Sequence, residues 1–322
     1  MQNSQYAEVA VLLFDTKRAV RRQTRSVLNT IGFKNFLEFQ DLADVRAALG
    51  NQRVELVVLA VEDTDTGVLA MVDDVRRQRC GLDPFVPMLL TAWDAKLNAL
   101  RPIVESGADD VLLHPFSTAQ MAERIDILVR CRKPFVVTED YLGPDRRTTA
   151  ALRAGPPPII VPNALQARVL GQSELGPTAA RMEETLADLR RLKLRNMARQ
   201  IWYMANCLRD AQLDPTLPDR YDHELKNLGT SIQGYRKTLT EGDSEDLRTL
   251  CDSLFGVVKK QLGGPPAQRG LELLEQSALA LRVASKMVYD QNDSNEAAIE
   301  AIGQEVAKVS TVEAELIRAV MS

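Results

Sequence analysis

Apolar residues fall into two regimes along this chain. Over roughly 8–130, short apolar runs alternate with amphipathic stretches. VAVLLF (9–14), FLEF (36–39), ELVVLAV (55–61), VPMLLTA (86–92) and DDVLLHPF (109–116) have the length and β-branched content of strands. Between them the spacing predicts helices. One covers 19–32, with Val20, Val27, Leu28 and Ile31 on one face and Gly32 as its stop. Others cover 41–50 with Asp41 as cap and Gly50 at the end, 67–78, 96–107 interrupted by Pro102, and 117–131 opened by Ser117. Five strands alternating with five helices predict a doubly wound α/β domain. Near-continuous apolar strands fit a parallel sheet covered on both faces. Function in such a sheet sits at the carboxyl ends of the strands. Those ends carry Asp15, Ala60, Thr91 and His114.

The period then changes. Residues 132–177 are rich in proline, glycine and arginine and carry no sustained periodicity, so they read as a linker between an α/β domain over 8–131 and a second domain over 178–322. Within the linker, PFVVTEDYLGPDRR holds aromatics that are costly to leave in water, and GPPPIIVP reads as a stiff, extended spacer. From 178 onward helical spacing dominates, with helices expected over 178–212, 219–243, 244–264, 266–290 and 294–321, an all-helical bundle. The first carries Met182, Leu186, Leu189, Leu192, Met197, Ile201, Met204 and Leu208 in one stripe. That stripe reads as core, and it also permits pairing of two copies in a homodimer through the C-terminal helices.

Composition narrows the chemistry. The chain has 322 residues, 45% hydrophobic and 26% charged, which suits about two globular domains. A net charge of -4 argues against nucleic acid as a partner. No apolar run approaches the roughly 18 residues of a membrane span, and the start lacks a secretory pattern, so a cytoplasmic protein without membrane contact is expected. Four scattered cysteines and two histidines, His114 and His223, offer no zinc or disulfide framework. No phosphate-binding glycine loop or nucleophile elbow appears, so a binding protein is expected rather than an enzyme.

Four stretches, VLLFDTKRAVR, ELVVLAV, LLTAWD and above all ESGADDVLLHPFS, resemble response-regulator receiver (CheY-like) domains over about 8–130. The resemblance implies a flavodoxin-like sheet whose third strand ends in a phosphate-accepting aspartate. It also implies an acidic pair that holds magnesium, a Ser/Thr after the fourth strand, and a lysine before the proline of the fifth. Carried over, Asp15 matches the acidic pair, although Phe14 and Thr16 supply no second carboxylate. Ala60 occupies the acceptor position, Thr91 matches the hydroxyl, and His114 replaces the lysine. An alanine methyl can neither attack phosphorus nor ligate magnesium, and one carboxylate is a poor site for a cation that needs several oxygens. The reading is a pseudo-receiver without a cofactor, Asp15 being the weak candidate for residual magnesium. Glu62 and Asp63 lie beyond the strand end. His114 is expected to fill the lysine slot and bond to Asp15 or to backbone. Trp93, with Leu113 and Phe116, marks a candidate partner surface.

The helical half resembles histidine phosphotransfer (HPt) modules in two competing registers. In HELKNLGTSIQG, His223 with Lys226 one turn along could accept and neutralise a phosphoryl group, although Asn227 stands where that family has glycine. In the other register Asp252, Ser253, Leu254, Phe255 and Gly256 align, and both histidine and lysine are missing. Together these features predict a bacterial-type two-component or phosphorelay signalling protein. It would act as a phosphorylation-independent adaptor for a kinase, a regulator or itself; the alternative is a phosphotransferase using His223.

Overall fold

The computed structural model of the chain describes residues 5–62, 66–93, 97–147, 158–212, 218–262 and 268–289. It divides into two compact units, residues 1–189 and 190–322.

The first unit is built on strands β1 (Ala10–Phe14), β2 (Asn35–Phe39), β3 (Leu56–Val61), β4 (Met88–Ala92) and β5 (Asp110–Leu113). All pair in parallel, in the order β2-β1-β3-β4-β5. Alternation along each strand feeds two cores. Leu12, Phe14, Val57, Leu59 and Leu90 face one side, where α2 (Leu42–Asn51), α3 (Thr66–Arg76) and Ile103 of α4 (Leu97–Glu105) cover them. Val11, Leu13, Val58 and Leu89 face the other, under α1 (Arg18–Ile31) and α5 (Thr118–Arg130). This is the expected doubly wound sheet.

Caps act where the sequence placed them. The Asp41 side chain accepts from the amide of Ala43, Ser117 and Gln120 form a capping box, and Gly32, at φ 130°, ends α1. Two expectations differ. α4 runs through Pro102 without a break, since a proline in the second turn removes a single amide donor there. β4 begins at Met88 rather than 86, because Pro87 has no amide to give a ladder.

The stretch expected as a linker over 132–177 is, in its described part, folded onto this unit. β6 (Phe135–Val137) and β7 (Leu142–Pro144) form an antiparallel hairpin, and Ile159 bridges Phe135 from its other side. Thus GPPPIIVP is no free spacer where it is described: Ile159 exchanges both backbone hydrogen bonds with Phe135, at 2.7 and 2.8 Å. The short helix α6 (Ala164–Leu170) buries Leu165 and Val169 in the α1–α5 core, and the Asn163 side chain donates to Leu128 O at 2.8 Å.

Buried charge anchors the hairpin. The Asp109 carboxylate accepts from Arg76 Nη2 (2.8 Å), Arg132 Nε (2.7 Å) and Nη2 (3.1 Å), and the Met88 amide (2.8 Å). Arg76, itself buried, also donates to the carbonyls of Pro84, Val86 and Gly107, and both guanidinium groups lie 5.1 Å from the ring of Phe135. Burial alone would raise the Asp109 carboxyl; Arg132 and Arg76 outweigh it, and the net direction is down. Gly107 and Gly143 touch here. A Cβ on Gly107, whose φ is +91°, would lie 2.5 Å from Leu142 O, and one on Gly143 would lie 2.7 Å from the Gly107 Cα.

The second unit packs the α7 residues from Arg190 onward (α7, Ala179–Gln212) with α8 (Pro218–Thr238), α9 (Glu245–Gln261) and α10 (Gln268–Tyr289). Met197, Ile201 and Leu208 enter this unit's own core with Leu225, Leu254 and Leu274. That stretch of the α7 stripe is therefore used within one chain and is not a free dimer seam. The GD turn before α9 is a junction: Asp243 pairs with Arg190 of α7 and accepts from Tyr289 of α10 at 2.7 Å. Beneath it, the hydroxyls of Tyr235 and Ser285 share a buried hydrogen bond of 2.6 Å. The helix expected over 294–321 lies outside the described residues. No described helix is long and apolar enough to cross a membrane.

Candidate functional site at the carboxyl edge of the sheet

The parallel register lines up the four positions singled out in the sequence. Phe14 pairs with Leu59, so Asp15, the next residue, lies beside Ala60. Ala60 pairs with Thr91, and the amide of His114 donates to Ala92 O at 2.8 Å. Asp15, Ala60, Thr91 and His114 therefore sit along one edge of the sheet.

Asp15 is buried, 4% exposed, and its Oδ1 accepts the Lys17 amide at 2.7 Å at the entry to α1. Burial pushes its carboxyl up, the amide bond pulls it down, and nearby Glu62 pushes it up again. The net direction is up, which weakens it as a cation ligand. Ala60 presents a half-buried methyl, and Thr91 is buried, 2% exposed.

Among the described residues, Glu62 is a second carboxylate near this edge, and the fold has already committed it. Thr16 Oγ1 donates to Glu62 Oε1 at 2.7 Å, and Lys17 Nζ lies 3.4 Å from the same oxygen. Both bonds lower its pKa. Arg21 donates to the Asp15 backbone carbonyl and reaches Glu38. Asp63 lies outside the described residues. Among the described residues, no cluster of three or more His, Cys, Asp or Glu could hold a metal ion. The strap from Thr16 and Lys17 to Glu62 was not expected; its only signal in the sequence is a Lys two residues after Asp15.

His114 differs from expectation. Its ring was expected to bond to Asp15 or to backbone, and it lies instead between two aromatic rings. The imidazole stacks on Trp93, with ring centroids 4.5 Å apart and planes at 10°, and meets Phe116 at 4.5 Å and 41°. Nε2 is buried without a hydrogen-bond partner, and burial pulls the imidazole pKa down. The physical reason is position: a flat ring two bonds from the backbone falls between two aromatic neighbours, where a longer ammonium stem would extend past them. Trp93 is 54% exposed, whereas Leu113 and Phe116 are half-buried. The indole at the end of β4 is thus stacked on one side and open to water on the other.

The helical unit holds the other candidates. His223 and Lys226 are both exposed on α8, but Gly229 is buried, with Val258 Cγ1 3.3 Å from where its Cβ would lie. That glycine serves helix packing and opens no space beside His223. In the competing register, Asp252 and Ser253 are exposed on α9, Arg236 lies 3.4 Å from Asp252, and Gly256 faces open space.

No protein-family model matches the sequence, and no curated protein matches it. Solved structures are similar to its first third. One is an orphan response regulator of H. pylori, 20% identical over 37% of this chain and 95% of that one, with a TM-score of 0.32. A CheY-like receiver domain protein from Methanospirillum hungatei JF-1 is 17% identical over 37% and 90% of the two chains, with a TM-score of 0.32. The chemotaxis protein CheY4 of Vibrio cholerae is 18% identical over 37% and 98%, also at 0.32.

Proposed function

We propose that the chain is a two-component or phosphorelay-type signalling protein whose receiver-like unit works by binding and not by phosphoryl transfer. The observation that carries this is the neighbourhood of Asp15. A methyl at Ala60 stands beside it, and the one other described carboxylate, Glu62, is bonded to Thr16 and Lys17. Phosphoryl transfer depends on positioned, uncompensated charge around a nucleophile and a metal ion. Here the charges compensate one another and the nucleophile position is aliphatic. The unit holds one state, and its contact face is the edge bearing Trp93, Leu113 and Phe116. The helical unit docks a kinase, another regulator or a second copy.

A second reading rests on one observation: His223 is exposed, with Lys226 beside it on the same helix face. Such an imidazole is accessible to a phosphoryl donor. The buried Gly229 weighs against it.

Intact mass after incubation with magnesium and acetyl phosphate, then phosphoramidate, separates the two. The adaptor reading expects no adduct under conditions that label an ordinary receiver. An adduct that vanishes in His223→Ala establishes the relay instead. A stable adduct on the α/β unit overturns both.

A further inference from the structure

The stretch from Lys17 to Lys34 carries six basic residues and no acidic one: Lys17, Arg18, Arg21, Arg22, Arg25 and Lys34. Lys17 is the N-cap of α1, and the four arginines fall in its first two turns. Cations there oppose the helix macrodipole, whose positive end is the amino end. Nothing offsets them locally, since Lys17 makes no side-chain cap bond and the first turn holds no acid. The chain follows the usual rule on other helices. α2 has Asp41 as cap and Asp44 in its first turn, and α9 opens with Glu245 and Asp246 and ends with Lys259 and Lys260. A local rule broken on one helix and kept on others points to a function for the residues that break it.

The fold uses only some of these cations. Arg21 donates to the Asp15 carbonyl at 2.5 Å and lies 3.8 Å from Glu38. Arg25 pairs with Glu38 at 2.5 Å, yet its side chain stays 47% exposed. Arg18 and Arg22 are exposed, and among the described residues neither side chain has a hydrogen-bond or ion-pair partner. At i, i+4 and i+7, Arg18, Arg22 and Arg25 form one stripe about 10 Å long. It lies on the side of α1 turned away from the buried Thr24 and Leu28. The exposed residues that flank it, Ala19, Gln23, Ser26 and Thr30, are uncharged, so no acid on the helix neutralises the stripe.

Charge selects the occupant. The whole chain has a net charge of -4 and residues 17–34 contribute +6, so the rest of the chain carries -10. A long polyanion such as duplex nucleic acid, or an anionic membrane, extends beyond the patch and meets that repulsion. A short acidic segment covers the stripe alone. Guanidinium forks also suit carboxylates, which they can engage through two parallel donors. We propose that the outer face of α1 is a docking surface for an acidic protein segment, whose carboxylates pair with Arg18 and Arg22 while Arg25 adds charge. This surface is additional to the Trp93 edge and does not rest on it.

The test is fluorescence anisotropy of a labelled short polyglutamate peptide titrated with the full chain. A labelled DNA duplex and co-sedimentation with phosphatidylserine vesicles serve as comparisons. The peptide should bind, and binding should weaken as salt rises. Affinity should fall about tenfold in the double variant Arg18→Gln/Arg22→Gln. Arg199→Gln/Lys260→Gln removes the same charge from exposed positions of the second unit and should leave affinity unchanged. The urea midpoint of the α1 variant should equal or exceed the parent's, because the lost cations oppose the macrodipole. Absence of peptide binding would overturn the proposal, as would equal losses in the two double variants. A lowered midpoint in the α1 variant would make the arginines structural and overturn it too. Tighter binding of the duplex or the vesicles than of the peptide would replace the acidic segment with that partner.

Discussion

Replacing Arg132 by methionine tests the central electrostatic feature of the α/β unit. The change keeps an apolar stem and removes the guanidinium. Lost with it are two bonds to Asp109, at 2.7 and 3.1 Å, one of 3.1 Å to Pro162 O, and a cation 5.1 Å from the Phe135 ring. Removing one partner of a buried ion pair costs about 3–5 kcal/mol, because the survivor is left buried and uncompensated. Arg76 still holds Asp109 at 2.8 Å, which places the expected loss near the lower limit, about 3 kcal/mol. The assay is urea unfolding followed by tryptophan fluorescence. The chain has two tryptophans, Trp93 in the first unit and Trp202 in the second, so a Trp202→Phe background leaves Trp93 to report on the α/β unit alone. At a slope of about 2 kcal/mol per molar urea, the midpoint should fall by roughly 1.5 M. Arg130→Met, which removes a pair with Asp126 that is 54% exposed on both sides, should move it by under about 0.3 M. The sign with pH is fixed too. A carboxyl held low in the folded state stabilises above its unfolded pKa, and that contribution is lost as pH falls through the folded value. The gap between the parent and Arg132→Met should therefore narrow toward acid. Equal shifts for Arg132→Met and Arg130→Met would refute the anchoring role.

His114 has a depressed pKa, so its neutral form is favoured in the fold, and its contribution to stability is complete above about 6.5 and declines as pH falls below it. His114→Phe should flatten the dependence of the unfolding midpoint below about pH 6.5, as read by the same fluorescence assay. Ala60→Asp places a second carboxylate beside Asp15, itself already pushed up by burial. Isothermal titration should then show magnesium heat in the variant and none in the parent, and equal heats would contradict the account of the site. Gly143→Ala drives a Cβ to 2.7 Å from the Gly107 backbone and 2.8 Å from the Tyr141 hydroxyl, so the Trp93-monitored stability should drop by about 2 kcal/mol.

The sheet was legible because its information is periodic: runs such as LVVLA repeat an apolar signal that survives any single substitution. The line of Asp15, Ala60, Thr91 and His114 was legible for the same reason, since strand ends locate it. What escaped was aperiodic. Arg132, Phe135 and Asn163 each anchor through a partner 23 to 35 residues away, Asp109, Ile159 and Leu128 among them. A proline-rich stretch with isolated arginines looks the same whether those arginines meet water or a buried carboxylate. The ring orientation of His114 was hidden likewise: Trp93 lies 21 residues earlier, and nothing local links the two.

Charge is distributed unequally between the two ends of the sheet, and the inequality bears on function. At the amino end, Asp109 and two arginines are buried, mutually satisfied and covered by the Phe135 hairpin, an arrangement that fixes position. At the carboxyl end, Lys17 and Glu62 are 58% and 42% exposed, a geometry worth well under about 1 kcal/mol. A switch driven by phosphate would need the reverse, with strong unmet charge beside the nucleophile. Because the strong ionic centre here is structural and remote from Ala60, rigidity is supplied at one end while the other presents aromatic surface. That division of labour is what the proposed binding role requires: a fixed base at one end and a stacked, half-exposed indole at the other.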